Sequence, residues 1–302
     1  MSKDLAKDLR TIRDFLRYAV TEFTRAELFF GHGATNALDE AAFLILEALS
    51  LPIDDINPWL DARLTGAERE RLGDLIAARV KTRKPAAYLV NKAYIQGLPF
   101  YVDERVIVPR SFIGELVSQG HVGGEELDLL GDPNEISSVL DLCTGSGCLA
   151  ILAALAFPNA EVHGVDISPD ALEVARRNVA DYGLEDHIML HQGDLFGPLG
   201  QRRFDLIITN PPYVDAEVME TLPPEFQAEP SLALAGGPDG LDIVRRILAG
   251  ASRRLNLGGG IICEIGTGRE ILEAEYPHLH FFWLDTEESE GEVFWLPAEN
   301  LG

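Results

Sequence analysis

Residues 138–148 read SVLDLCTGSGC and join a short apolar run to a glycine-rich turn. The run at 138–142 has the composition of a buried strand, and the apolar run at 149–157 predicts a helix after the turn. Gly145 and Gly147 allow a tight turn and let a ligand approach the backbone, while the start of a helix offers free amide groups. This stretch therefore predicts a strand, a ligand-binding loop and a helix in an α/β fold.

An alternation of strands and helices continues from this loop to the end of the chain. The predicted strands are 138–142, 162–166, 188–190, 204–208, 260–266, 280–286 and 291–297, the last two forming a hairpin at the sheet edge. Strands that alternate with helices are typical of a mostly parallel sheet covered on both faces. We therefore predict a Rossmann-like α/β domain in this part of the chain.

The start of the chain differs, because its apolar residues recur at helical spacing. The first predicted helix has an apolar face formed by Leu9, Ile12, Phe15, Leu16 and Ala19. Two further helices are predicted at 38–49 and 66–80, where Asn36 and Thr65 are of the residue types that cap helix starts. The pattern predicts a small all-helical domain at 1–92.

The helical spacing ends at residue 93. Residues 94–102 and 106–109 have the shorter period of strands and predict a β-hairpin. We take this hairpin, at 93–110, as a linker and expect the α/β domain to occupy 111–302. A polar, glycine-rich stretch at 120–135 precedes the first strand of that domain.

The composition describes a soluble globular chain of one or two domains. Of its 302 residues, 46% are hydrophobic and 25% are charged. The longest apolar run, 149–157, is too short to cross a membrane, and the charged start of the chain is unlike a signal peptide. Three cysteines, at 143, 148 and 263, are too few for a disulfide framework and suggest no metal cluster. We therefore expect a cytoplasmic protein without a metal site.

The net charge of −24 lies entirely beyond residue 92. All five lysines precede that point, and acidic residues greatly outnumber arginines after it. A strongly negative surface attracts basic partners and repels nucleic acids. The alternative is that the acidity only keeps the protein soluble. We expect a basic protein partner, no stable nucleic-acid binding and no membrane association.

A second feature of a nucleoside site follows the glycine loop. The next predicted strand ends in Asp166, whose carboxylate can accept both hydrogen bonds of a ribose diol. Gly145, Gly147 and Ala150 also fit the dinucleotide pattern G-x-G-x-x-G/A, so a nicotinamide dinucleotide and an adenosyl ligand are both candidates. Asp141 suits a cationic amino group that a pyrophosphate lacks, and the part of the chain beyond residue 92 has no lysine for a dehydrogenase Tyr-x-x-x-Lys motif. These two features favour S-adenosylmethionine.

Asp194 and Leu195 follow the next predicted strand. An acidic residue at a strand end can hold the adenine amine, while Leu195 packs against the adenine ring. The alternative is an ordinary aspartate at the end of a strand.

Residues 209–213 read TNPPY and directly follow the fourth predicted strand. Pro211 and Pro212 exclude a helix and fix the backbone, so the Asn210 side chain and the Pro211 carbonyl can point into one pocket. Two oxygens so placed can each accept one hydrogen of a planar amine and aim its lone pair at a methyl donor. Tyr213 can pack against the flat group. The alternative is a turn without chemistry.

The motifs D-L-C-T-G-S-G, V-D-I-S-P-D and N-P-P-Y, in this order, resemble those of the HemK-type glutamine amide methyltransferases. The resemblance implies a seven-stranded S-adenosylmethionine-dependent methyltransferase domain at 111–302, preceded by a helical domain that recognises the substrate. It also implies that Asn210, Pro211, Pro212 and Tyr213 grip the glutamine amide. Together, the motifs and the resemblance assign the cofactor to Asp141, Cys143, Thr144, Gly145, Ser146, Gly147, Asp166, Ile167, Asp194, Leu195 and Asn210.

One segment distinguishes two branches of that family. Release-factor enzymes typically read I-P-R-P-E-T-E after the hairpin, whereas this chain reads V-P-R-S-F-I-G-E-L at 108–116. With G-H-G-A-T-N at 31–36 and V-D-E-R at 102–105, this departure is similar to the PrmB branch, which modifies protein three of the large ribosomal subunit. The resemblance implies that substrate. A release-factor methyltransferase, a DNA adenine methyltransferase and a non-catalytic ribosome assembly factor are the alternatives.

Overall fold

The computed structural model describes residues 8–118, 129–287 and 289–301. Its helices are α1 (Ile12–Arg25), α2 (Ala37–Leu49), α3 (Gly66–Thr82), α4 (Ala86–Val90), α5 (Ile113–Ser118), α6 (Cys148–Ala156), α7 (Pro169–Asp181), α8 (Ala216–Thr221), α9 (Asp242–Ala251) and α10 (Arg269–Glu275). Its strands are β1 (Ala93–Ile95), β2 (Leu98–Phe100), β3 (Ser138–Leu142), β4 (Glu161–Asp166), β5 (Ile188–Gln192), β6 (Phe204–Thr209), β7 (Val214–Asp215), β8 (Ala235–Gly237), β9 (Leu255–Glu264), β10 (Phe282–Leu284) and β11 (Val293–Pro297).

The helices α1 to α4 pack around a shared apolar core. Its fully buried members include Phe15, Phe23, Leu44 and Ile45. The predicted caps are confirmed, because the Asn36 side chain accepts hydrogen bonds from the first turn of α2 and Thr65 forms a capping box with Glu68 at the start of α3. The predicted helical character of this part of the chain is therefore confirmed.

The hairpin is present, but its predicted strands are wrong. The strands β1 and β2 both lie within the single strand predicted at 94–102, and they are joined by Gln96 and Gly97. These two residues have φ of 50° and 74°, as a tight two-residue hairpin turn requires. Residues 106–109 form no strand, and the Val108 amide instead donates a hydrogen bond to the Glu229 side chain.

One seven-stranded sheet forms the centre of the larger part of the protein. Its strand order is β10-β11-β9-β6-β3-β4-β5, and β11 runs antiparallel to both of its neighbours while the other pairs are parallel. Val139 and the residues of α6 form an apolar core on one face, and Leu140 and the residues of α9 form a second core on the other face. The predicted mostly parallel α/β fold is confirmed.

The strand bounds follow the sequence prediction closely in the middle of the sheet. The strands β3 to β6 begin and end within two residues of the predicted positions. Strand β9 was predicted to begin at 260 but begins at Leu255, because the glycines at 258–260 weaken the sequence signal of its first half. Residues 1–7 and 119–128, which include much of the glycine-rich stretch, lie outside the described residues.

The order of the strands creates a crevice for a ligand. The chain runs outward from β3 to β4 and β5, then returns to place β6 on the other side of β3. At such a reversal, the loops that follow the two diverging strands separate at the carboxyl edge of the sheet. The glycine loop after β3 and the N-P-P-Y loop after β6 lie at this edge. Among the described residues, no helix is both long enough and apolar enough to span a membrane.

Candidate active site

A cavity of about 300 Å³ opens at the carboxyl edge of the sheet. Its walls come from the loops after β3, β4, β5 and β6, from the linker before α5 and from α9. The lining includes Arg105, Val106, Ile107, Cys143, Gly145, Asp166, Ile167, Asp194, Leu195, Asn210, Pro212, Leu232 and Arg246. The structure thus brings most of the predicted site residues together around one space.

Left-handed backbone conformations shape the loop between β3 and α6. Cys143, Gly145 and Gly147 have φ of 58°, 54° and 79°, which favour glycine. A Cβ atom on Gly147 would lie 3.2 Å from the Cβ atom of Ala175, so glycine also allows α6 to approach α7 closely. Cys143 and Gly145 line the cavity, whereas Thr144, Ser146 and Gly147 are outside its lining.

Asp141 lies beneath this loop and is completely buried. Its Oδ2 accepts hydrogen bonds from the Thr144 hydroxyl at 2.6 Å and from the Ala150 amide at 3.1 Å. Ala150 is in the first turn of α6, whose N-cap, Gly147, has no side chain, so the Asp141 carboxylate caps this helix from below. Burial raises the pKa of Asp141 to about 7. Asp141 therefore supports the loop and does not line the cavity.

Asp166 ends β4 and lines the cavity next to Ile167. Its Oδ2 accepts a hydrogen bond from the Gly145 amide at 2.8 Å, and its Oδ1 accepts one from the Ser168 amide at 2.9 Å. These bonds fix the carboxylate while each oxygen keeps a further lone pair. Burial raises the pKa of Asp166. A carboxylate held in this way can accept two hydrogen bonds from a diol.

Asp194 and Leu195 line the cavity after β5. Leu195 is buried and has a φ of 48°, a left-handed conformation that is unusual for a leucine. Asp194 forms an ion pair with Arg246 of α9, with 2.6 Å between the oxygen and the nitrogen, and both side chains are about half exposed. An amine of a ligand would therefore share the Asp194 carboxylate with Arg246.

The N-P-P-Y loop is fixed to the centre of the sheet. The Thr209 hydroxyl donates a hydrogen bond to the Leu142 carbonyl at 2.9 Å, which joins the end of β6 to the end of β3. Asn210 and Pro212 line the cavity, whereas Pro211, which lies between them in the sequence, is buried. The loop therefore presents its asparagine in the same cavity as Asp166.

Tyr213 is enclosed by glycines and lies outside the cavity lining. Its ring packs against Gly266, where a Cβ atom would lie 2.9 Å from the ring, and its hydroxyl donates a hydrogen bond to Glu264 at 2.9 Å. Burial and the Glu264 carboxylate raise the pKa of Tyr213. Cβ atoms on Gly236 and Gly240 would lie 2.7 Å and 2.3 Å from the Tyr213 backbone. Sequence analysis missed these two glycines, although G-G-P-D-G at 236–240 was a visible signal.

Sequence analysis also missed Glu225, which follows α8 and is fully buried. Its Oε1 accepts a hydrogen bond from the Phe29 amide at 3.0 Å and lies 2.9 Å from the Arg83 guanidinium and 3.5 Å from that of Arg79. These partners belong to the N-terminal helical part, so Glu225 connects that part to the segment after the N-P-P-Y loop.

Glu229 is a second buried carboxylate in the same segment. It accepts two hydrogen bonds from Arg110, at 2.6 Å and 2.8 Å, and one from the Val108 amide at 2.9 Å, and it lies 3.5 Å from His32. The next residue, Pro230, lines the cavity. No local sequence pattern reveals Glu225 and Glu229, because their partners lie more than a hundred residues away.

Metal ligands are absent from the part of the chain that the structure describes. No group of three or more histidine, cysteine, aspartate and glutamate side chains there is arranged to hold a metal ion. The cysteines at 143, 148 and 263 are free thiols.

The comparison with known proteins agrees with this geometry. The family model described as "Methyltransferase small domain" matches residues 127–229. The catalytic domain of hMettl16, solved in complex with a 3′UTR hairpin, has a TM-score of 0.50 and 17% identity, covering 74% of this chain and 80% of that chain, which is a likeness of fold. Asp166 and Asn210 line one cavity at the carboxyl edge of this sheet, and the family model describes a methyltransferase domain. The protein is an S-adenosylmethionine-dependent methyltransferase.

Relatives of known name narrow the class. The ribosomal protein uL3 glutamine methyltransferase of Bradyrhizobium diazoefficiens is 60% identical over 97% of this chain and 92% of its own length. The protein of the same name from Bordetella pertussis is 50% identical over 100% of this chain and 99% of its own length. The chain belongs to the family of ribosomal protein uL3 glutamine methyltransferases, and the resemblance drawn from its motifs is confirmed.

Proposed function

We propose that this protein transfers the methyl group of S-adenosylmethionine to the side-chain amide nitrogen of a glutamine in ribosomal protein uL3. The observation that carries the proposal is that Asn210 and Asp166 line the same cavity, so a methyl donor and an amide can meet in it. The names of the two relatives support the choice of uL3 as the substrate.

The residues present fit the proposed cofactor. The oriented Asp166 carboxylate suits the ribose hydroxyls, and Leu195 offers an apolar surface to the adenine ring. Asp194 would accept a hydrogen bond from the adenine amine, with Arg246 close by. The loop at 143–147 would pass close to the amino-acid part of the cofactor, and Asp141 would act on it through that loop.

The acceptor amide would be held by the N-P-P-Y loop. When bound, the cofactor supplies an electrophilic methyl group on a positively charged sulfur. The Asn210 side-chain oxygen and the Pro211 carbonyl would each accept one hydrogen of the glutamine amide, which orients the nitrogen and reduces its delocalisation into the carbonyl. The nitrogen would attack the methyl carbon with its lone pair while the carbon–sulfur bond breaks and its electrons go to the sulfur. It would lose its proton to water afterwards, so the loop needs no strong base. Tyr213 would hold the loop in this shape.

The proposed substrate also fits the charges of the chain. A ribosomal protein is basic, and the part of the chain beyond residue 92 carries all of the −24 net charge. We assign substrate recognition to the helical domain at 1–92 and methyl transfer to the domain at 111–302. The hairpin at 93–110 links the two. The same charge disfavours stable binding to nucleic acid, which DNA adenine methylation would require.

Mass spectrometry tests this function. Ribosomal protein uL3 and the release factors would be purified from cells that lack the gene, from complemented cells and from cells with Asn210→Ala. We expect a methyl group on one uL3 glutamine in complemented cells only. A methyl group that depends on this gene but lies on a release factor would instead assign the protein to the sister branch. Unchanged uL3 methylation in Asn210→Ala cells would contradict the assigned acceptor site.

A further inference from the structure

Glu264, at the end of β9, has a buried carboxylate that plays no part in the methyl transfer described above. It is 1% exposed and does not line the cavity. Its Oε1 accepts a hydrogen bond from the Tyr213 hydroxyl at 2.9 Å. Its Oε2 accepts hydrogen bonds from the Ser111 hydroxyl at 2.7 Å and from the Phe112 amide at 3.0 Å. One side chain thus joins three segments that are distant in the sequence.

The two oxygens of Glu264 have different partners. Oε1 holds the N-P-P-Y loop through Tyr213, and Oε2 holds the start of α5, just after the linker that contributes Val106 and Ile107 to the cavity wall. A buried carboxylate costs free energy unless each oxygen has donors, and here each oxygen has at least one. An apolar side chain could fill this space, but it would not orient two segments relative to each other.

Tyr213 connects Glu264 to the N-P-P-Y loop, which we propose binds the acceptor amide. Gly236 and Gly240 enclose its backbone, and Gly266 and Glu264 hold its ring and hydroxyl. With both its backbone and its side chain fixed, Tyr213 limits the movement of the two prolines that precede it. The Pro211 carbonyl, which we propose accepts one hydrogen of the amide, lies two residues before Tyr213. The two proline rings restrict rotation of the backbone.

We propose that Glu264 is a positioning residue for the methyl transfer. Glu264 holds Tyr213 at a fixed distance from the part of the cavity wall that the linker forms. Tyr213 in turn fixes the position of the Pro211 carbonyl. This inference rests on the proposed function, because it concerns the alignment of the amide in that site. Glu264 does not line the cavity that would hold the cofactor and the amide. Its loss should therefore slow turnover at saturating substrate and leave cofactor affinity nearly unchanged.

A double-mutant cycle tests this inference with purified enzyme, purified uL3 and radiolabelled S-adenosylmethionine. Tyr213→Phe removes only the hydroxyl, and Glu264→Met removes both acceptors at similar length. We expect each variant to lower kcat on the order of tenfold, with the Kd for S-adenosylmethionine within about twofold of wild type. Because both changes break the same bond, the double variant should be about as slow as Glu264→Met alone.

Two further variants separate positioning from general loss of structure. Glu264→Gln keeps one acceptor oxygen and should restore part of the kcat that Glu264→Met loses. Tyr182→Phe removes a tyrosine hydroxyl that donates to the Pro99 carbonyl at 2.9 Å, away from the cavity, and should leave kcat unchanged. Tyr213→Phe alone keeps the test valid if Glu264→Met does not fold.

The outcomes distinguish this inference from the proposed function. If the wild-type enzyme does not methylate uL3, the proposed function fails before any variant is compared. If the wild type is active but the two losses multiply in the double variant, Glu264 and Tyr213 act independently and the positioning role is overturned. A wild-type kcat in Tyr213→Phe, or a drop in cofactor affinity that matches the drop in kcat, overturns it as well.

Discussion

At the scale of single residues, Asp141 shows how strand geometry decides which side chains reach a ligand. Side chains alternate between the two faces of β3, so Leu140 and Leu142 join the core on one face while Val139 joins the core around α6. Asp141 shares the face of Val139 and therefore points under α6, where it meets Thr144 and Ala150. The sequence predicts that this carboxylate contacts the cofactor, whereas the structure places it beneath the loop and outside the cavity lining.

The pKa of Asp141 makes its support of the loop dependent on pH. Its pKa is raised to about 7 by burial, so the carboxylate is mostly protonated at pH 6 and mostly ionised at pH 8. The ionised form is the better acceptor for the start of α6 and attracts a cationic ligand. We expect affinity for S-adenosylmethionine to rise several-fold, up to about tenfold, from pH 6 to pH 8.

Titration calorimetry of wild type and Asp141→Asn at these two pH values checks this expectation. The variant should bind more weakly at pH 8, and its affinity should depend less on pH, because the carboxyl group with a pKa of about 7 is no longer present. Asp132→Asn, which changes an exposed aspartate, is the matched control. An equal pH dependence in wild type and Asp141→Asn would show that Asp141 is not the titrating group.

At the scale of helices and strands, the contact between α6 and α7 depends on a glycine. Gly147 and Gly183 both have positive φ, but only Gly147 faces a close neighbour, since a Cβ atom there would lie 3.2 Å from the Cβ atom of Ala175. We expect Gly183→Ala to lower the free energy of unfolding by about 1 kcal/mol, from backbone strain alone. Gly147→Ala should lower it by about 2 kcal/mol or more, because the helices must also move apart. Urea unfolding of both variants measures the difference, and equal losses would mean that the helices tolerate the extra atom.

The helices and strands of this fold differ in how well their local sequence predicts their positions. Each of the strands β3 to β6 contains at least two Val, Ile or Leu residues in a short segment that alternates with predicted helices, so their positions could be predicted from local pattern. The hairpin was misread because β1 and β2 have only three residues each, too few for a period to emerge, and Gln96 and Gly97 were not recognised as a turn. The segment around Glu225 and Glu229 had no local signal, because its conformation is set by distant basic residues.

That segment should fix the linker to the N-P-P-Y side of the molecule. In Glu229→Gln, the Arg110 guanidinium loses its buried counter-charge, and we expect the free energy of unfolding at pH 7 to fall by about 3 kcal/mol. Glu217→Gln, on the exposed side of α8, should change it little. Denaturant unfolding at pH 7 measures both variants, and a loss as small as that of Glu217→Gln would mean that the linker is held by its apolar contacts alone.

The pH dependence of the same variant follows from the Glu229 carboxyl group. Burial alone would raise its pKa, but His32 and Arg110 hold the pKa at about 2, below the ordinary value of 4.5. A lowered pKa means that this carboxylate stabilises the folded state fully above about pH 4.5 and loses that contribution as the pH falls toward 2. The difference between wild type and Glu229→Gln should therefore shrink below pH 4. A constant difference down to pH 3 would contradict the ionised pair.

At the scale of the whole molecule, the charge of the chain beyond residue 92 bears on how the substrate arrives. A net charge of −24 attracts a basic protein over distances comparable to the Debye length, about 10 Å at 0.1 M salt, so added salt should weaken the encounter. We expect the KM for uL3 to rise about fivefold between 50 mM and 300 mM sodium chloride, with kcat nearly unchanged. A short neutral glutamine peptide is the matched control, since its KM should not respond to salt. If the KM for uL3 is equally insensitive, the acidity serves solubility, and recognition depends on close contacts with the helical domain.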